Sequence, residues 1–131
     1  MSEKASMNAN IILLDDEELT QELIKHMLTD IASGEVAQFG TSQRALKALQ
    51  QRPGFFDLVI SDWEMPEMNG LDFLRAFRQF DKKTPVLMVT GNTSRELVME
   101  AIKAGVSDFL AKPFTTKDLL AKVVKLVGPK E

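Results

Sequence analysis

The sequence contains no cysteine, which excludes disulfides, thiolate zinc sites and cysteine nucleophiles and fits a reducing compartment. Its single histidine is His26, so a metal bound by side chains must rely on oxygen or on that one ring. No block of lysine and arginine concentrates positive charge, and 16 basic against 19 acidic side chains leave a net charge of -3. That balance argues against direct contact with nucleic acid. No stretch approaches the roughly 20 apolar residues that span a bilayer, and the opening MSEKASMNAN has no apolar core. A cytoplasmic chain without membrane contact is therefore expected.

What is present describes one ordinary domain. A chain of 131 residues with 44% apolar content is long enough to bury a substantial core and too short for several. Residues 1–9 are expected to form a flexible N-terminal tail, 10–128 the folded domain, and 129–131 a C-terminal tail or the start of a linker.

Short apolar runs alternate five times with segments of helical period, the pattern of a parallel sheet covered by helices on both faces. The expected strands are Asn10–Leu14, Val36–Phe39, Leu58–Ser61, Val86–Val89 and Ser107–Ala111. After the first, Leu19, Leu23, Ile24, Met27, Leu28 and Ile31 recur at helical spacing and predict the buried face of the first helix. The second helix carries Ala45, Leu46 and Leu49 behind a Thr41–Ser42 cap and stops before Pro53–Gly54. The third starts near Gly70 and buries Leu71, Leu74 and Phe77. The fourth turns Leu97, Val98, Ala101 and Ile102 inward and ends at Gly105, a residue suited to the left-handed position past a helix. The fifth repeats the pattern with Leu119, Leu120, Val123 and Val127. The fold class is thus α/β, a single doubly wound sheet of five parallel strands with five helices.

In such a sheet every strand ends at one edge, so the residues just beyond the strands converge however distant they are in sequence. The first strand delivers Asp15 and Asp16, the third Asp62, the fourth Thr90, and the fifth Lys112 followed by Pro113. Three close carboxylates raise one another's pKa, and a hard divalent cation relieves the conflict. Mg2+ is the natural candidate, because it favours a few carboxylates, water and a phosphate oxygen. With a lysine beside it, the pocket suggests phosphoryl transfer.

Each residue alone has a plainer reading. Asp15 and Asp16 could cap the first helix, Asp62 a turn; Thr90 could be a strand-end hydroxyl and Lys112 a solvated side chain. Joint occurrence, one polar group after each of several strands, outweighs these readings. His26 is expected on the surface, Met65 and Met68 in loop packing, and Trp63 as a partly exposed wall beside the acidic site.

The segments LLDDEEL, VISDWEMPEMNG, LMVTGN and DFLAKPF resemble the receiver domain of response regulators over nearly the whole chain, from about Asn10 to Val127. The resemblance implies a flavodoxin-like sheet in the order 2-1-3-4-5. It implies Asp62 as phosphoacceptor, Asp15 and Asp16 with Asp62 as the metal-binding acids, and Glu64 as a metal ligand through its backbone carbonyl. It further implies Thr90 as the switch hydroxyl, Lys112 as the phosphate-binding lysine, Phe109 at the aromatic switch position and a cis bond before Pro113. Pro66 and Gly70 match the turn after the acceptor strand. Glu64 and Asn92 stand where the family varies and where the lifetime of the phosphoryl bond is set. Phe109 brings no hydroxyl, unlike the tyrosine of many relatives.

The expected function is then a phosphorylation switch rather than an enzyme acting on other molecules. A sensor histidine kinase or phosphotransfer protein would donate to Asp62 with Mg2+, and the surface of helix four, strand five and helix five would change to control a protein target. The unphosphorylated chain is expected to be a monomer. Two alternatives stand beside this reading. A phosphotransferase of the haloacid dehalogenase type also uses Asp, Mg2+, Thr and Lys, but it places its nucleophile after the first strand in a D-x-D motif, whereas Asp15 is followed by Asp16 and Glu17. A pseudo-receiver that binds partners without phosphorylation is disfavoured because every site residue is in place.

Overall fold

The structure, a computed structural model, describes residues 8–29, 31–65, 68–91 and 94–128. Most of the expected N-terminal tail, Pro66, Asn92 and residues 129–131 lie outside the described residues. Strand and helix alternate through β1 (Ile11–Leu14), α1 (Glu18–Leu28), β2 (Val36–Phe39), α2 (Ser42–Gln51), β3 (Leu58–Asp62), α3 (Gly70–Arg78), β4 (Val86–Thr90), α4 (Arg95–Ala104), β5 (Asp108–Ala111) and α5 (Thr116–Val127). The strands form one parallel sheet in the order β2-β1-β3-β4-β5. No helix among the described residues is long and apolar enough to cross a membrane.

Two apolar layers hold the sheet. Because side chains alternate across a strand, Ile12, Leu14, Val59, Val86 and Met88 face α2, α3 and α4, whose Leu49, Phe73, Phe77 and Ala101 complete that layer. Ile11, Leu13, Leu58, Ile60, Leu87 and Val89 face the other way, onto Ile24 and Leu28 of α1 and Leu119 and Val123 of α5. β1, β3 and β4 are buried along their whole length. That explains their unbroken apolar runs, since a central parallel strand is covered on both faces.

Local chemistry sets the helix ends. The Thr41, Asn69 and Ser94 side chains each accept a backbone N–H of the first turn they cap. Thr115 and Asp118 form a reciprocal capping box on α5. Gly105 closes α4 at φ +100, a conformation that costs other residues steric strain.

The structure differs from the sequence expectations at several places. Asn10 and Ser107 lie just outside the strands, whereas Asp62 and Thr90 stay within the ladder, in register with Val89 and Ala111. α1 buries Gln21, Ile24 and Leu28, while Leu19 and Leu23 are 82% and 51% exposed. The apolar stripe of α1 is wider than the face that meets the sheet. Its outer part, Leu23 and Met27, lines a groove against Pro113 and Phe114 instead. In α4 the inward row is Leu97–Ala101, one helical turn apart. Ile102, about 100° further round the helix, is exposed. On α3, Phe73 is fully buried where Leu71 is only half-buried.

Candidate functional site

The register of the strands builds the site. Leu14 pairs with Ser61, so the next residues, Asp15 just past β1 and Asp62 at the end of β3, stand at the same level of the sheet edge. Asp62 pairs with Val89 and Thr90 with Ala111. The Lys112 N–H then donates to the Thr90 carbonyl at 2.9 Å, which sets Lys112 beside the end of β4. The Lys112–Pro113 bond is cis.

Side chains converge accordingly. Carboxylate oxygens of Asp15, Asp16 and Asp62 all lie within 4.8 Å of one another. Lys112 Nζ donates to Asp62 Oδ1 at 3.1 Å, and the Glu64 backbone N–H approaches the same oxygen at 3.4 Å. Asp15 Oδ1 accepts the Glu17 N–H at 2.8 Å, so this carboxylate also shapes the turn that leads into α1. Asp15 and Asp62 are 5% and 6% exposed, Asp16 and Glu64 exposed. Thr90, 1% exposed, ends β4 on the same sheet face as Met88 and Phe109, which pair with each other. Phe109 is half-buried and packs on the α2–α3–α4 layer.

This crowding perturbs titration. Burial pushes Asp15 up to about 6, with the Glu17 hydrogen bond opposing and the neighbouring Asp62 charge adding to the rise. Burial likewise raises Asp62, against the opposing hydrogen bond and charge of Lys112. Burial alone would lower Lys112, but the Asp62 hydrogen bond and the surrounding carboxylates leave it above the ordinary lysine value.

The turn after Asp62 is closely packed. The Gly70 N–H donates to the Trp63 carbonyl at 2.7 Å, and a Cβ at Gly70 would come within 2.9 Å of the Asp62 carbonyl oxygen. Only glycine permits that approach.

Trp63 corrects an expectation. It is 7% exposed and belongs to the α2–α3–α4 layer. Following Asp62 by one residue, it goes to the opposite side of the sheet and forms no exposed wall of the site. Met65 and Met68 pack on the same layer, and His26 is exposed, both as expected. Sequence reasoning passed over Gln21, a buried amide on α1 that donates to the Asp15 carbonyl. Its spacing with Ile24 and Leu28, three and seven residues on, was the available signal.

The arrangement offers oxygen ligands for a hard cation and a buried carboxylate with an ammonium beside it. Residues 11–124 match the family described as the response regulator receiver domain. The chain is 38% identical over 118 residues to the chemotaxis protein CheY of Pseudomonas aeruginosa, covering 88% of this chain and 94% of that one. Among solved structures, Vibrio cholerae CheY4 superposes with a TM-score of 0.83 at 33% identity, covering 90% of this chain and 98% of that one. The same fold, at 22% identity, a TM-score of 0.81 and coverage of 93% and 99%, is found in the receiver domain of a sensor histidine kinase from Pseudomonas aeruginosa, with a magnesium ion coordinated in its active-site cleft. On the extent of these matches, the chain belongs to the response regulator receiver domain family, the signalling switches of two-component systems.

Proposed function

We propose that the chain is a phosphorylation switch in which Asp62 accepts a phosphoryl group from a histidine of a sensor kinase or phosphotransfer protein. The observation that carries the reading is the meeting of Asp15, Asp16 and Asp62 within 4.8 Å, with Lys112 3.1 Å from Asp62. An all-oxygen donor set of this density suits Mg2+. Asp15, Asp16, Asp62 and the Glu64 backbone carbonyl would hold it. When bound, Mg2+ supplies the positive charge that lets a phosphoryl group approach three carboxylates.

The chain's own residues do the rest. An Asp62 oxygen attacks phosphorus in line, the P–N bond to the donor histidine breaks, and the imidazole leaves with that electron pair and takes up a proton. Burial keeps Asp62 more basic than an ordinary carboxylate, which favours attack once its charge is balanced. Lys112 is placed to take a phosphoryl oxygen, so positioning and electrostatics supply most of the catalysis.

Transmission follows from the neighbourhood of Thr90. A phosphoryl oxygen on Asp62 accepts a hydrogen bond from the Thr90 hydroxyl, and the inward shift frees space for the Phe109 ring on the same sheet face. The surface of α4, β5 and α5 then changes its affinity for a protein target. Met99, Ile102 and Val124 on these helices are exposed apolar contacts for such a partner. The coupling is expected to be worth about 1–3 kcal/mol. Phe109 has no hydroxyl, so burial of the ring alone must select the inward state.

Intact mass after incubation with acetyl phosphate and Mg2+ tests the chemistry. Wild type should gain one phosphoryl group and Asp62→Asn none; a gain in the variant removes Asp62 as acceptor. Amide shifts on α4 and α5 in a beryllium fluoride complex test transmission. Equal responses in wild type and Thr90→Ala would end that route while leaving the chemistry standing.

A further inference from the structure

Gln21 is a polar residue in the buried row of α1, otherwise formed by Ile24 and Leu28. It is 6% exposed. Its Nε2 donates to the carbonyl oxygens of Asp15 and Phe39, each at 2.6 Å. Both partners are acceptors only, so the amide nitrogen must face them, and both of its N–H bonds are used.

The two carbonyls mark where neighbouring strands end. Phe39 is the last residue of β2, and its carbonyl also takes the Asp15 N–H at 3.1 Å. The Asp15 carbonyl belongs to the peptide unit shared with Asp16, where the chain has left β1. Gln21 therefore grips the one peptide that carries both acidic residues. From the other side, the Glu17 N–H holds the Asp15 carboxylate at 2.8 Å. Together these bonds fix the direction in which the acidic pair meets Asp62.

We infer that Gln21 is a positioning residue: by clamping the Asp15–Asp16 peptide to the end of β2, it sets the affinity of the acidic site for a divalent cation. The inference rests on the reading of the three carboxylates as a cation site and adds the residue that tunes it. A merely structural amide would contribute stability and leave cation affinity unchanged. Outer partners of metal ligands, by contrast, commonly change affinity by about 10- to 100-fold.

The test uses the full chain and Mg2+ alone. Gln21→Met keeps the length and apolar stem and removes both donors; Gln21→Asn keeps the amide and shortens it by one methylene. Mg2+ titration followed by backbone amide shifts should show affinity reduced about tenfold or more in both. In chelated protein the Glu17 amide signal should also move, because its acceptor is displaced. At saturating Mg2+, the initial rate of phosphorylation by acetyl phosphate should return to within about threefold of wild type, since the nucleophile and Lys112 are untouched. Leu49→Ala, a core change on the other side of the sheet, serves as the stability control and should leave Mg2+ affinity unchanged.

Affinity within about threefold of wild type in the folded variants, or an equal loss in Leu49→Ala, overturns the inference. A wild-type protein that shows no Mg2+ response around Asp15, Asp16 and Asp62 would instead overturn the cation site itself.

Discussion

Asp62 and Asp108 occupy opposite edges of the same sheet, both largely withdrawn from water, and their surroundings differ in kind. Asp108 opens β5. It accepts the Phe109 N–H at 2.7 Å, and Lys122 and Lys125 of α5 each donate to it at 3.1 Å. Burial raises its pKa, but the Phe109 hydrogen bond and the two lysines outweigh burial and leave it below the ordinary aspartate value. Asp62 closes β3 with one lysine, a longer backbone contact and two more carboxylates close by, and it is raised. Deeper burial at Asp62, together with the richer supply of donors and positive charge at Asp108, separates a carboxylate left in need of a cation from one that fastens the fold.

The largest contrast should appear in chemistry. Lys112→Ala is expected to slow phosphorylation by acetyl phosphate by about 100-fold or more, because the ammonium proposed to neutralise a phosphoryl oxygen is gone. Lys122→Ala, which loosens the Asp108 cluster, should leave the rate within about twofold. Initial rates from intact mass decide this. Equal slowing by the two changes would mean that Lys112 acts only through the fold.

Stability should separate the two edges next. Asp108→Ala removes a hydrogen-bond acceptor shared by a backbone N–H and two lysines, at a cost of about 2 kcal/mol, reduced because Lys125 is largely exposed. Asp15→Asn in chelated protein should do the opposite. It relieves charge crowding in a site where burial already disfavours ionisation, and a gain of roughly 1.5 kcal/mol is expected at neutral pH. Urea unfolding of both variants gives the signs, and a loss in Asp15→Asn would remove the crowding from the account.

How far the sequence foretold this comparison differs between the two edges. Strand order came only with the resemblance to receiver domains, whereas helix count and the convergence of Asp15, Asp16, Asp62 and Lys112 were legible, because a parallel sheet sends all strand ends to one side. The Asp108 cluster was not. Lys122 and Lys125 lie outside the apolar row of α5, and nothing in helical period reveals that both reach the Asp108 carboxylate. Leu19, Leu23 and Ile102 were misplaced for a related reason. Periodicity gives the apolar stripe of a helix, whereas the width of the covered face depends on what packs against it. Trp63 was drawn to the site by its sequence neighbour Asp62, although adjacent strand residues point to opposite faces.

The smallest effect expected is a pH profile that bends in opposite directions at the two edges. For Asp15 the folded value of about 6 lies above the ordinary 3.8, so between these values the folded state holds a proton that the unfolded chain releases. Stability of chelated protein should therefore rise by about 1 kcal/mol as pH falls from about 7 to about 5. Asp108 runs the other way. Its folded value lies below 3.8, so its stabilisation is complete above that pH and is lost as pH falls through the folded value. Wild type should thus pass through a maximum on the acid side of neutrality. Asp15→Asn should flatten the rising arm, and so should saturating Mg2+, because a cation at the site holds Asp15 ionised. Denaturant midpoints measured across this range with and without chelator check both arms. A steady decline from neutrality in chelated wild type would show that the acidic edge carries no stored conflict, and the contrast with Asp108 would fail.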